Sequence, residues 1–155
     1  MSDRARVVTL ISLFRQTSRE MVDELVERLR DGGFEDTSAA HHPLFENIDP
    51  GGTRLTVLAA RAGMTHQSMG ELVSALQQRG YVERRSDPAD GRVRLVVLTE
   101  KGRAAVRLAV KEIAAIEAAW IARVGAAGID VDARALLKAG LQRRDIGIER
   151  ASGRA

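Results

Sequence analysis

From Val7 to Leu29 the apolar residues recur at helical spacing, through Leu10, Phe14, Met21, Leu25 and Leu29, with Thr17 in the same row. A second row runs through Val7, Ile11, Ser18, Val22 and Val26. One apolar stripe is enough to seat a helix on a core. Two stripes predict a helix that packs against its own domain and against a partner as well. Gly32-Gly33 ends it, as C-terminal glycines do. Asp36-Thr37-Ser38 then offers cap residues for a short helix through about Asn47. Pro43 inside that stretch either kinks the helix or marks a later start. Asp49-Pro50-Gly51-Gly52 reads as a turn.

The next pattern is denser. Leu55 to Ala62 predicts a compact helix stopped by Gly63, and Thr65 caps another from His66 to about Arg79, closed by Gly80. Tyr81–Ser86 and Val93–Leu98 are strand-like, and the polar turn-formers Asp87 to Arg92 between them predict a hairpin. Thr99, with Glu100 behind it, caps a long helix to about Val124. Gly125 to Gly128 breaks it, a last helix runs from about Asp132 to Gly140 or beyond, and the tail from Glu149 onward is expected to fray. The sequence contains no internal repeat. The fold class that follows is mainly α with a small β-hairpin wing (α+β).

The segment Leu55–Leu76 has the logic of a helix-turn-helix. Two short helices meeting at a sharp turn need a small residue where the second crosses the first, which Ala59 supplies. The turn needs a positive φ angle, which Gly63 reaches without steric cost. Leu58, Ala62, Met64, Met69 and Leu72 occupy positions that must be buried, which leaves His66, Gln67, Ser68, Gly70 and Glu71 toward solvent, as on a helix that enters a DNA groove. An ordinary helical hairpin with a glycine turn would read similarly up to this point. The hairpin that follows, with an arginine at its tip, turns the arrangement into a winged one.

Charge adds to this picture. Of 155 residues, 45% are hydrophobic and 29% charged, with a net charge of +3. The basic residues cluster at the motif: Arg61, Arg79, Arg84, Arg85, Arg92 and Arg94, against Glu71, Glu83, Asp87 and Asp90. Strand alternation would place Arg92 and Arg94 on one face. Such cations set affinity and salt dependence on DNA, while Gln67, Ser68 and His66 would supply base contacts. Aromatics are few and scattered (Phe14, Phe34, Phe45, Tyr81, Trp120), so base stacking on single strands is not the expected mode.

Composition also excludes. With no cysteine there are no disulfides, thiol catalysis or thiolate zinc sites. Arg4, Arg6, Arg15 and Arg19 interrupt the N-terminal apolar stretch, so a signal peptide is not expected, and no apolar run is long enough to span a bilayer. A cytoplasmic protein without membrane association is the expectation. His41-His42 are adjacent, so on a helix they point about 100° apart and do not share an ion without further ligands; no metal and no cofactor is expected. No serine elbow, phosphate-binding loop or metal quartet is present, so an enzyme is not expected either.

The chain also resembles the multiple-antibiotic-resistance regulator (MarR) family of bacterial winged helix-turn-helix transcription regulators. The resemblance rests on Leu-Ala-Ala-Arg-Ala-Gly-Met-Thr (58–65), Leu-Val-Ser-Ala-Leu-Gln-Gln-Arg-Gly-Tyr-Val-Glu-Arg (72–84) and, most specifically, Asp-Pro-Ala-Asp-Gly-Arg-Val-Arg-Leu-Val-Val-Leu-Thr-Glu-Lys-Gly-Arg (87–103). It implies a dimerisation helix over 1–33, a DNA-binding lobe over 34–98, further dimerisation helices over 99–148 and a flexible tail over 149–155. It further implies a homodimeric repressor on an inverted-repeat operator, with half-sites about 10 base pairs apart, released when a small aromatic or anionic effector binds. His42, Phe45 and residues of the first helix could line the effector crevice or equally form a simple packed core, so none of them is named as a ligand site. The second helix of the motif would enter the major groove and the wing the adjacent minor groove, whose negative potential attracts arginine. Arg92 matches the family's wing-tip arginine and Asp90 the acid that holds it. The DNA-binding residues expected are therefore Arg61, Thr65, His66, Gln67, Ser68, Arg84, Arg85, Asp90, Arg92 and Arg94. Two positions depart from the family: Glu71 stands where basic or polar residues are common, and Gly70 replaces a common hydroxyl. The competing reading is a winged-helix module for protein contact or dimerisation without specific DNA binding.

Overall fold

The computed structural model describes residues 8–141. Helix α1 spans Leu10–Asp31 and is capped by Thr9, whose hydroxyl accepts the Ser12 backbone N–H while the Ser12 hydroxyl accepts that of Thr9. It begins inside the expected Val7 start, which lies outside the described residues, as does the expected tail. A single 3₁₀ turn, Ala39–His41, leads into α2, His42–Asn47. Pro43 sits in the first turn of α2, where its missing N–H is no loss, so the later start is the right alternative and there is no kink. Strand β1 (Thr53–Arg54), helices α3 (Leu55–Arg61) and α4 (His66–Gln78), and strands β2 (Val82–Ser86) and β3 (Arg94–Leu98) follow. Helix α5 covers Glu100–Ala126 and α6 covers Ala133–Leu141.

Two compact units are present, Met1–Ile116 and Glu117–Ala155. In the first, the wing is a three-stranded antiparallel sheet of order β1-β3-β2, not a bare hairpin. β1 pairs Thr53 with Val96 and Arg54 with Leu95. A two-residue strand carries no readable period-2 signal, which is why the sequence pattern misses it.

The core of the winged lobe draws on α2, α3, α4, β2 and β3: Leu44, Leu58, Met69, Val73, Leu76, Tyr81, Val82 and Val96 are all essentially sealed from solvent. A smaller cluster joins Leu25 and Leu29 of α1 to Ile116 of α5. The N-terminal half of α1 is different. Leu10, Ile11 and Phe14 are 70%, 78% and 54% exposed. In the second unit, Asp132 caps α6 by accepting the Ala135 N–H at 2.9 Å, Arg134 pairs with Glu117, and Leu136, Leu137 and Leu141 are exposed. Among the described residues no helix is long and apolar enough to cross a membrane.

Tyr81 ties the lobe together. Its ring packs edge-on to Phe45 and tilted to Phe34, and Lys101 Nζ lies 4.1 Å over its face. Its hydroxyl donates to Asp36, whose other oxygen accepts from Lys101 at 3.0 Å. Burial and the Asp36 bond push the Tyr81 hydroxyl pKa well up. For Asp36, burial pulls upward, but the Tyr81 hydroxyl and the Lys101 ammonium outweigh it and hold the carboxyl below its usual range. A depressed carboxylate stabilises the fold above its unfolded pKa, and that contribution is lost as pH falls through the folded value. Tyr81→Phe should therefore cost about 1 kcal/mol at neutral pH, discounted because Asp36 is half-exposed. The cost should shrink once acid protonates Asp36, below the ordinary carboxylate range. Urea denaturation at pH 7 and pH 3 reads both; a pH-independent difference would assign the loss to packing instead.

Candidate nucleic-acid interface

Helix α3 is short because Gly63, at φ +63°, turns the chain out of it. The Met64 N–H returns to the Ala59 carbonyl at 2.9 Å, closing the turn. Ala59 is buried, as the crossing requires, and Leu58 and Met69 are fully sealed while Ala62, Met64 and Leu72 are partly so. Thr65 starts α4: its hydroxyl accepts the Ser68 N–H at 3.1 Å and donates to the Ser68 hydroxyl at 2.9 Å. His66, Gln67, Ser68 and Glu71 then face solvent together. Gly70 does not join them. It is half-buried, and a Cβ there would meet Leu55 at 3.8 Å. Glu71 accepts from Gln67 Nε2 at 3.1 Å and has no arginine partner within 4 Å among the described residues, so its negative charge stays on the exposed face.

The wing tip is built by two aspartates. Asp87 accepts the Ala89 N–H at 2.9 Å, and Asp90 accepts the Arg92 N–H at 3.1 Å. Asp90 thus holds the backbone of Arg92, not its guanidinium, and the Arg92 side chain is left exposed. Arg92 lies in the turn before β3, so strand alternation does not govern its direction as expected. Only Arg94 stands on the strand, with its guanidinium on the Ser86 hydroxyl at 3.1 Å.

The arginines divide into two sets. Arg61 donates to the Asn47 carbonyl and the Asp49 carboxylate, both at 2.9 Å, and Arg85 pairs with Glu83. The Arg61 guanidinium, with the Thr53 hydroxyl, holds the Asp49 carboxyl below its usual range. Arg84, Arg92 and Arg94 have no carboxylate within 4 Å among the described residues. Arg84 makes a long 3.4 Å contact to the Ser74 hydroxyl of α4. Arg54, which sequence reasoning overlooked, flanks the wing from β1 at 3.6 Å from Asp87. Its signal was the turn at 49–52, which could have announced a strand. The site therefore combines a polar helix face with a set of exposed, largely uncompensated wing arginines.

A second feature lies within the first unit. An apolar cavity of about 40 Å³ is lined by α1 (Val22, Val26), by His41 and Phe45, and by Val106 of α5. This is where the expected effector crevice was placed, yet ligand sites occupy about 300–1,000 Å³. This cavity is too small for one, but a more open crevice of about 320 Å³ beside it, lined by Arg15, Arg19 and Val22 of α1 and by His42 and Pro43 of α2, falls within that range.

Residues 35–93 match the MarR family. Several solved structures are similar over most of the chain. CouR from Rhodococcus jostii RHA1, bound to p-coumaroyl-CoA, is 21% identical, with a TM-score of 0.69 over 92% of this chain and 95% of its own. MepR of S. aureus, in complex with DNA, is 21% identical, with a TM-score of 0.66 over 89% and 96%. BldR from Sulfolobus solfataricus is 22% identical, with a TM-score of 0.59 over 93% and 97%. No curated protein matches the sequence.

Proposed function

We propose that this chain, whose residues 35–93 match the MarR family, is a cytoplasmic DNA-binding transcription regulator acting as a homodimeric repressor on an inverted-repeat operator. The observation that carries the reading is the pairing of an exposed polar face on α4 with a wing whose Arg84, Arg92 and Arg94 are free of carboxylates. Thr65, His66, Gln67 and Ser68 would face base edges and phosphates in the major groove. Arg84, Arg92 and Arg94 would meet the phosphates and the adjacent minor groove, with Asp90 fixing the turn that carries Arg92. Arg61 and Arg85, already ion-paired, would add phosphate contacts only by exchanging partners.

Dimerisation is supported by the apolar residues that each unit leaves in solvent: Leu10, Ile11 and Phe14 in the first, Leu136, Leu137 and Leu141 in the second. Apolar surface of this kind marks an interface. An aromatic or anionic effector entering the cavity between α1, α2 and α5 would release DNA, and the ligand-bound CouR neighbour is consistent with that. The small cavity would have to open for such a ligand, whereas the neighbouring crevice lined by His42, Arg15 and Arg19 already has the volume.

Fluorescence anisotropy tests the reading, with labelled duplexes from the gene's own upstream region beside a scrambled duplex, at two salt concentrations. Preferential, salt-sensitive binding to the upstream duplex is expected, and Arg92→Ala should weaken it about tenfold, as losing one arginine contact would. A folded dimer that binds no duplex would replace this function with that of a protein-contact module.

A further inference from the structure

Four polar residues share the cavity wall, Thr37, Ser38, His41 and His42, and His41 is the buried histidine among them. His41 is 7% exposed and closes the 3₁₀ turn between α1 and α2. The Ser38 backbone N–H donates to its Nδ1 at 3.2 Å, and the His41 N–H returns to the Ser38 carbonyl at 3.0 Å. An imidazole accepts at Nδ1 only when that nitrogen carries no proton. A proton there would set two donors against each other and place a cation beside Val26, Ala105 and Val106.

We infer that His41 is an acid-sensitive latch: neutral, it fastens the 3₁₀ turn over the apolar cavity, and protonated, it releases Ser38 and lets the cavity open. The charged groups around it do not prevent this. Burial comes first among the influences that lower its pKa, then the Arg79 charge at the end of α4, against which Asp36 pulls upward. Asp36 is itself held by Tyr81 and Lys101. On the α1 side Arg30 donates to the Thr37 carbonyl, while the neighbouring His42 lies 3.7 Å from Glu46. From α5 the cavity wall is apolar, through Ala105, Val106 and Ala109. A histidine whose folded pKa is depressed stabilises the fold above its unfolded value, near 6.5, and that contribution is lost as pH falls below it. The regulatory consequence, easier entry of a ligand at mildly acid pH, rests on the effector reading above; the latch itself does not.

Two-dimensional NMR of the full chain from pH 8 to pH 4.5 tests the latch without any ligand or DNA. The His41 ring should titrate below 6.5, with the Ser38 amide following at the same midpoint. His41→Asn, which offers an amide oxygen near the place of Nδ1 but does not titrate, should leave the Ser38 amide flat over that range. His42→Gln should behave as the wild type. A His41 ring that titrates at or above 6.5, or a Ser38 amide indifferent to it, overturns the proposal. If His41→Asn fails to fold, the wild-type ring and amide titrations still decide.

Discussion

Gly102→Ala should destabilise the winged lobe by about 2–3 kcal/mol, the upper part of the range for forced overpacking. In an ordinary helix interior the same change stabilises by about 1 kcal/mol, because alanine loses less backbone entropy than glycine. Here the sign reverses for a geometric reason. A Cβ on Gly102 would lie 2.1 Å from the Tyr81 carbonyl oxygen and 3.1 Å from Leu98 Cδ2. That carbonyl cannot swing aside. It already accepts the Thr99 N–H at 3.0 Å, and the Thr99 hydroxyl, which donates to the adjacent Gly80 carbonyl at 2.5 Å, in turn accepts the Gly102 N–H. The first turn of α5 is thus docked on the residues just before β2 through backbone and the Thr99 hydroxyl, and a methyl group there must push the helix off the sheet. Gly70→Ala is the control, since its new Cβ meets only Leu55, at 3.8 Å; it should be neutral or stabilising. Urea denaturation of the two variants reads the contrast, and a Gly102→Ala protein as stable as wild type would mean that α5 does not pack so closely on Tyr81.

The second large effect concerns DNA and separates the two halves of the proposed interface. Gln67→Ala with Ser68→Ala should cut the preference for the specific duplex over a scrambled one by about 100-fold, at roughly 1–3 kcal/mol for each lost base contact. The salt dependence should stay unchanged, because neither side chain is a cation. Arg92→Ala with Arg94→Ala should do the reverse. Binding would weaken on both duplexes alike, and the slope of log affinity against log salt should become shallower by about one per phosphate contact removed. Anisotropy titrations across a salt series measure slope and preference together. Equal loss of preference in both pairs would mean that the wing, as well as α4, reads sequence. The Gln67 bond to Glu71 adds a detail: freed of Gln67, Glu71 would repel phosphates more, so part of the loss could be recovered by Glu71→Gln.

What the sequence alone determined was the order and type of the long elements and the identity of the motif. Helical periodicity in α1 and α5, the Gly63 turn between Ala59 and Thr65, and the polar break at 87–92 are local signals, each set by backbone chemistry within a few residues. The exposed face of α4 followed from the same periodicity, except at Gly70, where a neighbour on α3 decides burial. The family resemblance of 58–103 added the function proposed for those elements.

Only the tertiary structure decided the rest, because it depends on groups far apart in the chain. β1 exists because Thr53 and Arg54 find Val96 and Leu95 some forty residues later, not because two residues prefer to be extended. Gly102 is needed because α5 lands on the Tyr81 carbonyl, and Asp36 stands beside Tyr81 and Lys101 through packing that no window of sequence encloses. Which arginines are spent on carboxylates and which remain free for a polyanion is likewise a matter of distance. Arg61 finds Asp49 across a turn and Arg85 finds Glu83, while Arg92 is held by its backbone and left with its charge in solvent.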